Sequence, residues 1–442
     1  MFVLTNAWHA LGRHRAYSIL TVILALIMSF GAITSSAVLA KQTVAHGIEY
    51  QAQKPTAVIR PGAKLQSQMK DDDAKATTEH YLTFTDYSPI AVAAQNKSLS
   101  FTYSFAETVP VRQSDSLKAI AGTADESADN TGGELLLRSF YDAKALKNND
   151  LGEITLVKGK KLKYTDTKFT GALISKALAD KNKLTVGSTF TVANPTDASK
   201  KYTYTVQGIY KYANPATAKS YTLAKQNPDN VIYTAYATAY ANGLDPEKSP
   251  KGTWAMPDLD ITFLLSSPAD YQTFAKLAKK SMPKGYELSS PSLDAYNAKL
   301  APLDSTASWM RIAQIVLLAV GGVLLVIITI MRTWVVRRDE IGMGLVTGVT
   351  KPRLAWQFIV ETLMLTVVPI VLGLLIGGFA AQPIGKALCG FATPMSTAIV
   401  SSAIRNSLGG IAILAVVALF GPVVFRTANL FKPAGPATEA QA

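Results

Sequence analysis

A single cysteine, Cys389, stands in a chain of 442 residues. No intramolecular disulfide can form, so any domain outside a membrane must hold together by its own core. The four histidines, His9, His14, His46 and His80, show no ligand spacing, which argues against a metal site. The phosphate-cradling pattern G-x-x-x-x-G-K-S/T is absent, so the chain has no Walker loop of its own. Acidic residues are scarce outside one region: residues 41–307 hold 27 of the 31 Asp and Glu. The stretch RRDEIGMGLVTGVTKPRLAWQFIVETLML, Arg337 to Leu365, lacks Cys, His, a Ser beside a base, and a carboxylate pair with room for a substrate. No catalytic residue is expected.

What is present is apolar sequence in long runs. Hydrophobic residues make up 48% of the chain, concentrated in residues 18–40, 312–331, 356–382 and 406–425. Each run approaches the ~20 residues that span a bilayer as a helix, so four transmembrane helices are expected. The net charge of +13 divides unevenly: residues 41–307 carry 29 Lys and 3 Arg against 27 acidic residues, a net of +5, and the remainder carries +8. The basic residues 13, 15, 332, 337, 338, 351, 353, 426 and 432 all fall on one side if the helices alternate. The positive-inside rule makes that side cytoplasmic, with both termini inside and residues 41–307 outside. The basic excess then belongs to membrane flanks, and nucleic acid is not an expected partner. A signal peptide cleaved after Ala40 is the competing reading of the first run. That run exceeds the ~7 to 15 residues of an h-region, and FVLTNAWHALG before it reads as an amphipathic surface helix, which favours retention.

Within 41–307, PTAVIRPG reads as a short strand, and KDDDAK as a solvated charge run without the spaced ligands of a calcium loop. Residues 113–133 read as a mobile surface loop rich in Ser, Asp, Thr and Gly. Phe169 to Asn182 suits a short helix, and LTVGSTFTVAN with KYTYTVQGIYK alternates at period two around NPTD as a hairpin. VIYTAYATAY and LDITFLL are strand-like, and Ser267, Pro268 and Asp270 form a helix start. Tyr202, Tyr204, Tyr210 and Tyr212 either pack a sheet or grip a peptide; period two favours packing. The expected fold is a membrane protein with four transmembrane α-helices, one plus three, and a large α+β extracytoplasmic domain between helices 1 and 2.

The expected boundaries are a cytoplasmic amphipathic helix over 1–17, helix 1 over 18–40, the external domain over 41–307 and a membrane domain over 308–430. The last contains helices at about 312–335, 356–382 and 406–426, a cytoplasmic segment over 336–355, and is followed by a tail over 431–442. Pro369 and Pro422 lie inside helical runs and predict kinks. Small residues in VGGVLL, LGLLIGG and SLGG permit close helix approach. Glu361, near the start of an apolar helix, is an intramembrane candidate that either has a functional role or pairs with Lys351 or Arg353.

RDEIG at Arg338 to Gly342, then Gly348 to Thr350, then Gln357, Phe358 and Glu361 ahead of a long apolar helix, resembles the permease module of the FtsX and MacB group of ABC transporters. Ala7 to Thr21 resembles that group's amino-terminal helix, and GALISKALADKNKLTVGSTFTV with YTVQGIYK resembles the external core domain of MacB-type permeases. The resemblance implies a non-catalytic subunit that binds no cofactor itself, with ATP and Mg on a separate cytoplasmic ABC ATPase, since the ATPase domain fused to MacB proper is not in this sequence. It implies a dimer with a second permease copy or paralogue, and movement of the external domain driven by hydrolysis. The residues it assigns to ATPase coupling are Arg338, Glu340, Gly342, Gly348, Lys351, Pro352 and Arg353. Efflux or extraction of a peptide, lipidic or antibiotic substrate is expected. The alternatives are activation of an external cell-wall hydrolase, which like an external adaptor would add a partner, and a membrane-anchored receptor or adhesion protein without ATPase.

Overall fold

The computed structural model describes residues 12–214 and 220–424. Most of the expected amino-terminal amphipathic helix lies outside the described residues. In chain order, helix α1 (Arg15–Val44) runs into a π-helical turn (Ala45–Glu49), and β1 (Thr56–Pro61), α2 (Phe84–Asn96), β2 (Phe101–Val111), β3 (Leu135–Phe140) and β4 (Ile154–Gly159) follow. Next come β5 (Gly171–Ser175), α3 (Lys176–Asn182), β6 (Thr189–Ala193), β7 (Lys201–Tyr212), β8 (Val231–Ala235), β9 (Asp258–Leu265), α4 (Pro268–Ser281) and β10 (Tyr286–Ser289). The chain then enters α5 (Pro291–Ile330), a second π-helical turn (Met331–Val335), α6 (Arg338–Val346), α7 (Lys351–Cys389) and α8 (Thr397–Val424). Two compact units result, one from Gln51–Tyr296 and one from the segments on either side.

The Gln51–Tyr296 unit is built on one mixed sheet of ten strands in the order β10-β1-β9-β2-β3-β8-β5-β7-β4, with β6 pairing β7. The β3–β8 and β5–β7 pairs are parallel; β6–β7 is the antiparallel hairpin expected from its alternation. Both faces of the central strands are covered. Ile174 and Ile232 enter one core with Phe190 and Tyr204, while Leu173 and Tyr233 enter another with Phe140 and Tyr210. Over one end of the sheet, Tyr87 and Ile90 of α2 and Phe274 and Ala278 of α4 close a third core with Phe263. Ser267 caps α4, accepting from the Asp270 amide at 3.2 Å and donating to its carboxylate at 2.9 Å.

Four expectations change here: in VIYTAYATAY only Val231–Ala235 is strand and Tyr236–Ala241 is helix, and the other three follow. Residues 171–175 are strand, and only Lys176–Asn182 is helix: strand β5 is buried on both faces, so GALIS shows no alternation to mark it. Residues 113–133 are tied down, with Leu117 and Ala119 buried and Gly122, Thr123 and Ala124 bonded to Asp125, Tyr221 and Thr222. Asp73 caps the turn Ala74–Thr78 through the Lys75 and Ala76 amides, and the Asp71 carboxylate accepts from Gln226, so the charge run has structural work. Tyr202, Tyr204 and Tyr210 are buried, the packing alternative.

The other unit is a helical bundle. Among the described residues four helices are long and apolar enough to cross a membrane: Arg15–Glu49, Pro291–Val335, Lys351–Cys389 and Thr397–Phe420. Along α7 a stripe at every fourth residue, Pro369, Gly373, Gly377, Ala381, Gly385 and Cys389, is buried. A Cβ on Gly373 would lie 2.7 Å from the Leu26 carbonyl, and one on Gly377 3.0 Å from that of Phe30, so α1 approaches α7 at backbone contact. Helix α7 continues through Pro369, and Pro422 falls in the last turn of α8.

Candidate functional site

The candidate site is the bundle end where α6 joins α5 to α7. The π-helical turn Met331–Val335 inserts an extra residue at the end of α5, and both Arg332 and Thr333 within it are buried. Helix α6 is short and two-sided. Ile341 is buried and Leu345 partly so, packed with Phe358 of α7 and Ala418 of α8. Met343 and Val346, three residues apart and on one face, are 68% and 67% exposed.

Polar groups lock this end. The Arg337 guanidinium is 3% exposed and donates through Nη1 to Glu361 at 2.5 Å and through Nε to Glu340 at 2.7 Å. It also lies over the Phe358 ring, 4.5 Å from the centroid. The second Glu361 oxygen accepts from Gln357 at 3.1 Å. Beside them, Arg332 donates to Thr362 at 2.8 Å. Glu340 is half-buried and faces Arg13 at 3.4 Å and His14 at 3.7 Å. Burial pushes the Glu340 carboxyl up, but the Arg337 hydrogen bond and the Arg337, Arg13 and His14 charges outweigh it and hold the group below the ordinary carboxylate range. Trp334 donates to the Val417 carbonyl at 3.2 Å, so α8 joins the same cluster. One arginine thus ties α6 to α7, and Glu340 ties α6 to the start of α1.

The sequence-assigned residues divide into two groups. Arg338, Gly348, Lys351, Pro352 and Arg353 are exposed around the α6–α7 connection, whereas Gly342 is buried and Glu340 is engaged within the chain. Gly348 follows the end of α6 with φ +88°, a left-handed conformation that terminates the helix. Thr350 precedes α7, and Pro352 occupies its first turn, where a missing N–H costs nothing. Glu361 is held by Arg337 and Gln357 on the buried side of α7, eight residues beyond the exposed Arg353, about 12 Å along the helix. Arg332 and Arg337, read as membrane-flanking charges, are buried partners. Sequence reasoning named Gln357 only as part of the resemblance and passed over Met343 and Val346; the signal for these two was an i, i+3 apolar pair in a segment too polar to span a membrane.

Comparison with known proteins agrees with this architecture. Residues 18–280 match the MacB-like periplasmic core domain family, and residues 312–427 match the FtsX-like permease C-terminal family. The chain belongs to the FtsX/MacB family of permeases. This permease is 25% identical over 222 residues to a Bacillus subtilis (strain 168) protein described as an uncharacterized ABC transporter permease, YclI. The match takes in 50% of this chain and 44% of that relative, so the chain spans less than half the length of the relative it matches. Four apolar helices and an inserted mixed-sheet domain are the layout that family membership calls for.

Proposed function

We propose that this chain is the transmembrane subunit of an ABC transporter, and that α6 with the turn into α7 receives the movement of a separate cytoplasmic ATPase. The observation that carries this reading is the buried Arg337–Glu361 pair. A docking helix held only by a loop would absorb a push; a helix pinned by a desolvated ion pair to the start of a 39-residue helix passes it on. Met343 and Val346 are the apolar contacts offered to the partner, and Arg338, Lys351 and Arg353 surround them in sequence with positive charge. The cytoplasmic placement of both termini rests on the basic bias of the bundle. ATP and Mg belong to the partner, and the permease functions as a dimer with a second copy or a paralogue. The large MacB-like external domain favours efflux or extraction of a peptide, lipidic or antibiotic substrate over activation of a hydrolase.

The test is purification of the full chain from its native membrane in mild detergent, with identification of the proteins that accompany it and an ATPase assay. A Walker-motif protein and vanadate-sensitive hydrolysis are expected, with both lost from a Met343→Ser, Val346→Ser variant that still elutes as folded protein. Absence of any associated ATPase from the intact chain removes the energy source and returns the receptor reading.

A further inference from the structure

The four-helix bundle contains a cavity of about 600 Å³ between α1, α5, α7 and α8. Its wall is mainly apolar, with Leu318, Leu325, Ile370 and Leu414 among the lining residues. At the end nearer the start of α8 it carries polar groups: Ser36, Gln314, Ser402, Arg405 and Asn406. The mouth is partly fixed, because Gln314 donates to Ser36 at 2.9 Å. The volume falls within the ~300–1,000 Å³ of pockets that hold an amphipathic small molecule, as does the pattern of an apolar body with a few convergent polar groups.

Two further observations bear on what fills it. Arg405 is exposed, stands at the edge of the apolar run 406–425, and among the described residues has no carboxylate or hydrogen-bond partner. An unmatched cation at the polar end of an apolar cavity is open to an anionic headgroup. Secondly, Gly322, Gly409 and Gly410 line the cavity, and a Cβ on any of them would meet nothing within 4 Å. Unlike Gly373 and Gly377, these glycines have no neighbouring helix against them among the described residues; they widen the cavity.

We propose that this cavity seats one anionic phospholipid, with an acyl chain in the apolar body and the phosphate against Arg405. Reach of the Arg405 side chain to the interface alone would serve the charge but leave the apolar cavity beneath it unfilled. The proposal requires only that the four helices lie in a bilayer; it is independent of ATPase coupling.

The experiment is native mass spectrometry of the full chain released from bilayer discs holding equal phosphatidylglycerol and phosphatidylcholine. The expected result is one retained lipid per chain, with phosphatidylglycerol preferred about tenfold, because the choline cation of phosphatidylcholine offsets the attraction of its phosphate to Arg405 and phosphatidylglycerol carries no such cation. Arg405→Gln should bring the two lipids to parity while a lipid is still retained. Gly410→Leu, whose Cβ would meet nothing within 4 Å and which adds helix propensity, should lose the lipid while unfolding at an unchanged or higher temperature. Glycerol phosphate, a headgroup without a chain, should not displace it. Equal retention of both lipids by the parent chain overturns the proposal, as does retention unaffected by both variants. Displacement by glycerol phosphate would make this an anion site without an acyl seat. Release as a lipid-free dimer, with cysteine at position 410 cross-linking to its partner, would assign the cavity to a second copy.

Discussion

Glu361 has both carboxylate oxygens taken, one by Arg337 and one by Gln357, in surroundings closed to water. The value of such a pair lies less in its attraction than in the penalty of breaking it. Glu361→Ala should therefore cost about 3–5 kcal/mol, read as a lower unfolding temperature in detergent, because it strands the Arg337 charge. The double variant Arg337→Met, Glu361→Met should regain most of that stability, and if the structural reading of coupling is right it should do so without regaining ATPase-driven function. Glu107 in β2 is the opposite case: it is 2% exposed and neither carboxylate oxygen has a hydrogen-bond partner among the described residues. Burial, then the nearby Asp245 charge, push it up to about 9 from 4.5. The folded chain thus holds the proton that the unfolded chain releases above pH 4.5, and stability falls as pH rises from there towards 9. Glu107→Gln should flatten that slope and raise the melting temperature at pH 8 by several °C, at about 2–4 °C per kcal/mol, with little change at pH 4.

At the scale of elements, sequence legibility followed periodicity and punctuation. The hairpin β6–β7, the capped start of α4 and the apolar spans were all readable because alternation, Ser-Pro-x-Asp and run length are local signals. Strand β5 was not, since Ala172, Leu173 and Ile174 are buried on two faces and leave no polar half to mark the period. Residues 113–133 look mobile by composition, but their order comes from partners about a hundred residues away, such as Asn230 and Tyr221. At the candidate site, the resemblance supplied the segment; the pairing of Arg337 with Glu361 depends on a helix reversal that no spacing rule encodes. The close approach of α1 and α7 yields a prediction at this scale. Gly377→Leu should separate these helices and abolish a stable bundle, while Gly378→Leu, whose Cβ would meet nothing within 4 Å, should be tolerated; detergent melts of the pair distinguish them. Gly348→Ala should cost about 1 kcal/mol through its positive φ alone, since there is open space around it.

For the whole molecule, the proposed orientation puts α6 and the mixed-sheet domain in different compartments. Cys389 is buried at 3% exposure and need not be removed for a labelling experiment. With a membrane-impermeant maleimide, Val346→Cys should react only when the inner face is presented, and Val186→Cys only from outside; the reverse pattern would invert the topology. The two units were foreseeable as a division of labour from hydropathy, but not the manner in which α1 and α5 end. Helix α1 ends in a π-helical turn, Ala45–Glu49, next to the sheet unit, and α5 ends in another, Met331–Val335, next to α6 at its opposite end. A turn with one residue too many is stored slack: absorbed into regular α-helix, it shifts everything beyond it by about 1.5 Å and rotates it by about 100°. One such step of fixed size sits where α1 meets the sheet unit and the other where α5 meets α6, the helical counterpart of one tooth at each end of a ratchet.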